Sequence, residues 1–136
     1  MMNGDVLTTL DYGELVAQHR KSGGLMSIAT YRRTVRVDFG VIETDSSNTL
    51  VGYSEKPTLD YQVSMGVYVM EPGVLAYVAD HKRLDLPDLV RMLIADGKRV
   101  VAYPFSGYWL DIGRPDDYMQ AIDEFDQWKE RLLPHG

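Results

Sequence analysis

Four short clusters hold the residues best able to do chemistry: Asn3-Gly4-Asp5, Phe39-Gly40-Val41-Ile42, Glu55-Lys56-Pro57 and Tyr108-Trp109-Leu110-Asp111-Ile112-Gly113. Taken singly, two of them have ordinary readings. Asp5 after Asn-Gly is turn chemistry, and Glu55-Lys56 before a proline is a solvated strand end. Asp111 is different. It interrupts an apolar stretch, where a carboxylate costs several kcal/mol unless something charged or hydrogen-bonding meets it. Other chemistries fall away by composition. The chain has no cysteine, which excludes disulfides, thiolate metal sites and a cysteine nucleophile. His19, His81 and His135 lack the mutual spacing of a zinc site; His19 reads as a packing or surface residue, the other two as surface residues.

With 136 residues the chain has the length of one domain, residues 1–136, with one core. A domain of that size buries roughly two-thirds of the surface its unfolded chain exposes. Hydrophobic residues make up 45% and charged residues 25%, as in ordinary globular proteins. The net charge is -6 and the 14 Lys and Arg are scattered. A nucleic-acid groove needs clustered cations, so none is expected. A phosphorylated small molecule stays open, since its site needs only one or two cations and a metal ion. No apolar run approaches the ~20 residues of a membrane span, and Met-Met-Asn-Gly-Asp is no signal peptide. A cytoplasmic setting without a membrane partner is the default.

The elements that must position these clusters can be read along the chain. Asp11 caps a helix, Glu14 completes the capping box, and Leu10 and Leu15 sit at the staple positions. That helix runs to about Ser22 and stops at Gly23-Gly24. A strand follows from Leu25 to Tyr31. Val35, Val37, Phe39 and Val41 alternate, which predicts a strand with one buried face, and turn residues 45–48 return it through Thr49–Ser54 as a hairpin. Val63 to Met70 is a further strand, with Gly66 inside it. Pro72 and Pro87 suit the first turn of helices, the second running from Pro87 to Asp96. Arg99–Phe105 and Tyr108–Ile112 are short strands. Pro115 opens a last helix with Tyr118, Ala121, Ile122, Phe125 and Leu132 on one stripe. Asp116, Asp117 and Glu124 read as its solvated face. Tyr12, Tyr53, Tyr61 and Tyr77 read as amphipathic packing residues. Strands mixed with helices predict a layered α/β domain.

In this order, from Asn3 to about Ala121, the clusters resemble the sugar-1-phosphate nucleotidylyltransferases, or nucleotide-sugar pyrophosphorylases. The resemblance includes Asn3-Gly4-Asp5-Val6-Leu7-Thr8, Gly40-Val41-Ile42-Glu43, Glu55-Lys56-Pro57, Val63 to Tyr68, Asp85 to Leu89, Gly107 to Gly113 and Pro115-Asp116-Asp117-Tyr118. It implies a partial Rossmann-like nucleotide-diphospho-sugar transferase fold, a mixed sheet with flanking helices. It also implies a reaction, in which a sugar 1-phosphate oxygen attacks the α-phosphorus of a nucleoside triphosphate and pyrophosphate leaves. Asp5 and Asp111 would hold Mg²⁺, with their carboxyl groups within about 8 Å of each other to share it. Lys56 would meet the sugar phosphate as a point charge. With Lys56, the residues Glu55, Gly40, Gly66 and Trp109 would bind substrate. Asp5, Lys56 and Asp111 make the catalytic set.

The family's amino-terminal signature, a Gly-rich turn running into Thr-Arg, does not occur in these residues. The expectation is therefore a carboxyl-terminal half that carries the sugar and metal sides, lacks most of the nucleotide side, and is inactive alone. Tyr108 to Pro115 looks most like the mannose-1-phosphate guanylyltransferase branch. A non-catalytic regulatory or sugar-phosphate-binding domain of the same fold is the alternative, but the joint retention of Asp5, Lys56 and Asp111 favours the enzyme. An opening at Asn3-Gly4-Asp5, with no strand before it, reads as a severed sheet. Its bare edges and apolar faces predict self-association, as a two-fold dimer.

Overall fold

The computed structural model describes residues 1–79 and 82–133; the surface readings of His81 and His135 fall outside them. Asp11 caps as its sequence requires: its carboxylate accepts the Glu14 N–H at 3.0 Å. Helix α1 (Tyr12–Ser22) ends at Gly23, whose φ of 63° is the left-handed cap that glycine adopts without strain. Both staple leucines, Leu10 and Leu15, are buried.

The remaining elements are strands β1 (Val6–Thr8), β2 (Met26–Arg36), β3 (Val41–Thr44), β4 (Leu50–Ser54) and β5 (Thr58–Met70). After these come a 3-10 turn at Pro72–Tyr77, helix α2 (Leu86–Ala95), strands β6 (Val100–Phe105) and β7 (Trp109–Asp111), and helix α3 (Pro115–Leu132). Three strands form a sheet in the order β5-β2-β6, while β1-β7 and β3-β4 are separate ribbons. β2 and β6 run parallel, whereas β1 pairs with β7 antiparallel. The fold is α/β with mixed pairing, as expected. No helix among the described residues is long and apolar enough to cross a membrane.

The chain divides into two compact units, Met1–Tyr31 with Ser64–Gly136, and Arg32–Val63. The first holds the buried core. Met26, Val74, Leu89 and Leu93 pack as one cluster, where α2 and the 3-10 turn meet β2. Tyr108, Leu110 and Ala121 form another, with Leu7, Ile112, Trp128 and Leu132 against it. Here the stripe on α3 buries Ala121 and part of Leu132, but Tyr118 and Ile122 stay exposed.

Four expectations are corrected, three of them wholly within the second unit. The hairpin spans Val41–Ser54, not Val35–Ser54, because Val35 and Arg36 continue β2. Pairing carries that strand onward: Asp60 on β5 takes hydrogen bonds from Arg32 and Thr34, and Val37 N–H donates to the Pro57 carbonyl at 3.0 Å. β5 accordingly starts at Thr58 rather than Val63. The alternating residues have no buried face either. Phe39 is 77% exposed and Val35 and Val41 are also exposed, since no element within this unit covers them. The tyrosine reading fails at Tyr12, Tyr53 and Tyr61, which are exposed; Tyr53 instead donates its hydroxyl to Glu55 at 2.6 Å. Tyr77 does pack against the first cluster.

Candidate active site

β1 is only three residues long, yet it builds the site. Its register sets Val6 opposite Asp111, Leu7 opposite Leu110 and Thr8 opposite Trp109. The ladder closes one step further, where Ile112 N–H donates to the Asp5 carbonyl at 2.9 Å. Asp5 and Asp111 thereby leave neighbouring strands at the same end. A Cβ added at Gly113 would meet Asp5 Oδ2 at 2.8 Å and Asp111 Oδ1 at 3.1 Å. Both oxygens thus border one small space, and their separation cannot exceed the sum of those distances, inside the expected limit. Gly113 leaves that space open because it has no side chain.

The half-buried Asp111 has the polar partners its apolar surroundings demand. Its Oδ1 accepts the Gly113 N–H at 3.1 Å, and its carbonyl accepts the Arg114 N–H at 3.0 Å. Its own N–H donates to Asp117 Oδ2 at 3.1 Å. Asp117 corrects the reading of a solvated helix face: it is 4% exposed. Its burial follows from the bond to Asp111, which the helical periodicity of α3 does not reveal. The signal that could have found it is its place in the first turn after Pro115, close behind a polar-hungry strand end.

Asp5 and Asp111 fit a hard divalent cation. Mg²⁺ takes oxygen ligands and is commonly held by one or two carboxylates plus substrate phosphates. The space beside Gly113 is bordered by two carboxylate oxygens. Among the described residues no group of three or more His, Cys, Asp or Glu gathers as a complete metal cage, so substrate oxygens and water would complete the shell.

Gly66 and Trp109 lie in the same unit as this pair. Gly66 has φ 75°, a conformation that side chains resist. Asn3 packs beside it, with Nδ2 at 2.7 Å from where a Cβ would stand, and Asn3 N–H donates to the Gly66 carbonyl at 2.9 Å. Trp109 is 7% exposed. Its indole N–H donates to the Met65 carbonyl at 3.1 Å, and its ring lies 5.2 Å from that of Tyr31. It therefore anchors the chain just before Gly66.

Gly40, Glu55 and Lys56 belong to the second unit, and all three are exposed. Tyr53 fills the space beside Gly40, its Cζ lying 2.6 Å from a built Cβ. Lys56 has φ 43°. A non-glycine residue there is strained by about 1–2 kcal/mol, and the following proline narrows its choices further. Such strain clusters at functional positions.

His19 is a packing residue, 2% exposed. Its Nδ1 meets Ser27 Oγ at 2.8 Å, tying α1 to β2, and its Nε2 meets Glu71 Oε1 at 3.2 Å, just ahead of the 3-10 turn.

The sequence model of the nucleotidyl transferase family matches residues 1–127. A glucose-1-phosphate adenylyltransferase from Halalkalibacterium halodurans is 29% identical over 98% of this chain and 38% of its own length. A UTP--glucose-1-phosphate uridylyltransferase from Synechocystis is 34% identical over 88% of this chain and 32% of its own. The chain thus spans about a third of the length of these relatives. Among solved structures, HddC from Yersinia pseudotuberculosis superimposes with a TM-score of 0.60 at 21% identity, covering 91% of this chain and 53% of that one.

Proposed function

The chain belongs to the nucleotidyl transferase family, and on that premise we propose that it forms the sugar-phosphate and metal side of a sugar-1-phosphate nucleotidyltransferase. The observation that carries this reading is the convergence of the Asp5 and Asp111 carboxylates on the space beside Gly113. A turn with a purely structural role has no use for two like charges facing one gap, where they repel each other unless a cation lies between.

In the proposed reaction an oxygen of a sugar 1-phosphate forms a bond to the α-phosphorus of a nucleoside triphosphate. The bond from that phosphorus to its bridging oxygen breaks, and pyrophosphate leaves. Catalysis is positioning and charge neutralisation, with no side-chain nucleophile. Asp5 and Asp111 would hold Mg²⁺, which when bound would neutralise phosphate oxygens. Lys56 holds the sugar phosphate, and Glu55 accepts hydrogen bonds from sugar hydroxyls. Gly40 and Gly66 offer their main chain to the sugar, and Trp109 keeps the Met65–Gly66 backbone in place.

The two glucose-1-phosphate enzymes among the relatives support a hexose 1-phosphate as substrate, while the Tyr108–Pro115 run favours mannose and a guanine nucleotide. The Gly-rich turn and Thr-Arg pair occur nowhere in residues 1–136, so this chain should not release pyrophosphate by itself. A carboxyl-terminal placement, a cytoplasmic setting and self-association as a two-fold dimer belong to the same reading. The exposed Val35, Phe39 and Val41 support the last of these.

Calorimetric titration with glucose, mannose and galactose 1-phosphates in Mg²⁺ tests the proposal. The expected result is binding of one hexose 1-phosphate that weakens at least tenfold or so in Lys56→Ala, the scale of one charge-assisted hydrogen bond. Unchanged binding in that variant would remove Lys56 from the site.

A further inference from the structure

We propose that Asp117 is a positioning residue for Asp111, fixing the carboxylate of β7 for a divalent cation; the inference rests on reading Asp5 and Asp111 as a cation site. Ile112 N–H faces β1, where it meets the Asp5 carbonyl. Successive N–H groups on a strand point to opposite edges, so Asp111 N–H points away from β1. Among the described residues the β1-β7 ribbon has two strands, and no strand receives that donor. Asp117 Oδ2 receives it, at 3.1 Å.

A buried carboxylate is not placed there cheaply. Asp117 is 4% exposed while its neighbours Asp116 and Tyr118 are exposed. Arg114 Nε lies 3.9 Å from Asp117 Oδ1, too far for a strong hydrogen bond. The first turn of α3 adds a favourable dipole. A buried ion pair is in general weak support for stability. What the arrangement does achieve is a fixed Asp111. Its N–H is held by Asp117, its carbonyl by Arg114 N–H and its Oδ1 by Gly113 N–H. Asp117 is the only side chain among those three partners, and partners of this outer kind orient metal-binding carboxylates.

The test uses the 136-residue chain with Mn²⁺ as the probe, free Mn²⁺ being read by electron paramagnetic resonance, and hydrogen exchange of the Asp111 amide read by NMR. In Asp117→Ala, Mn²⁺ affinity should fall about tenfold and the Asp111 amide should exchange faster. Asp117→Asn keeps an acceptor oxygen and should restore both. Ala121→Gly, elsewhere on α3, should lower the melting temperature while leaving Mn²⁺ affinity unchanged. A general loosening of the helix would weaken Mn²⁺ binding in Ala121→Gly as well, which overturns the assignment. Wild-type affinity and unaltered Asp111 exchange in Asp117→Ala overturn it while sparing the cation site. If the wild-type chain binds no Mn²⁺, the cation reading falls and this assignment with it.

Discussion

Asp5 and Asp111 stand at the same end of neighbouring strands, with Oδ2 of one and Oδ1 of the other bordering the position a Gly113 side chain would take. The two residues are far apart in sequence, and the register of β1 against β7 is what joins them. A methyl group at Gly113 would enter that space. Its closest contacts would be the ends of two carboxylate side chains, which can turn aside, and Gly113 is not among the glycines with positive φ. Gly113→Ala should therefore leave the melting temperature within a few degrees of wild type, a change of under about 1 kcal/mol, while Mg²⁺-dependent ligand binding is lost. Calorimetry alongside thermal unfolding checks both halves. Full binding in the variant would mean that the space beside Gly113 holds nothing.

Tyr108 makes stability depend on pH at the alkaline end. Its hydroxyl is buried and makes no hydrogen bond of acceptable geometry. Burial first, then the Glu124 and Asp117 carboxylates, push its pKa up from 10.0 to about 12. A raised pKa means that the fold favours the neutral phenol. That contribution is intact below pH 10 and fades as pH climbs toward 12. Tyr108→Phe should delete the latest phase of tyrosinate absorbance in an alkaline titration. Because an unpartnered buried hydroxyl contributes little, stability at neutral pH should stay level or rise by up to about 1 kcal/mol, with the stacking on Trp128 at 4.6 Å retained. A clear drop in the denaturant midpoint would show that the hydroxyl is bonded after all.

The parts of this molecule that local chemistry controls were legible in its sequence. Asp11, Glu14 and Gly23 mark α1 because caps act through adjacent residues. Asp111 stood out because a carboxylate in an apolar run demands a partner. What escaped reading depends on distant pairing. β1 has three residues, too few to display an alternation, and its existence depends on β7. Asp117 occupies a position that helical periodicity assigns to water, and only the unpaired edge of β7 draws it inward. The break between β2 and β3 was misplaced for the same reason. Val35 to Val41 alternates without interruption, and the pairing with residues 57–60 decides where the strand ends.

The central claim is that these residues carry the sugar-phosphate and metal side of a nucleotidyl transfer site without most of its nucleotide side. The most direct measurement is calorimetric titration of the wild-type chain, with and without Mg²⁺, against hexose 1-phosphates and against each common nucleoside triphosphate. The account predicts heat from a hexose 1-phosphate that requires Mg²⁺ and vanishes in Asp111→Asn, with no saturable heat from any triphosphate. Saturable, Mg²⁺-dependent binding of a nucleoside triphosphate in the absence of sugar-phosphate binding would contradict it.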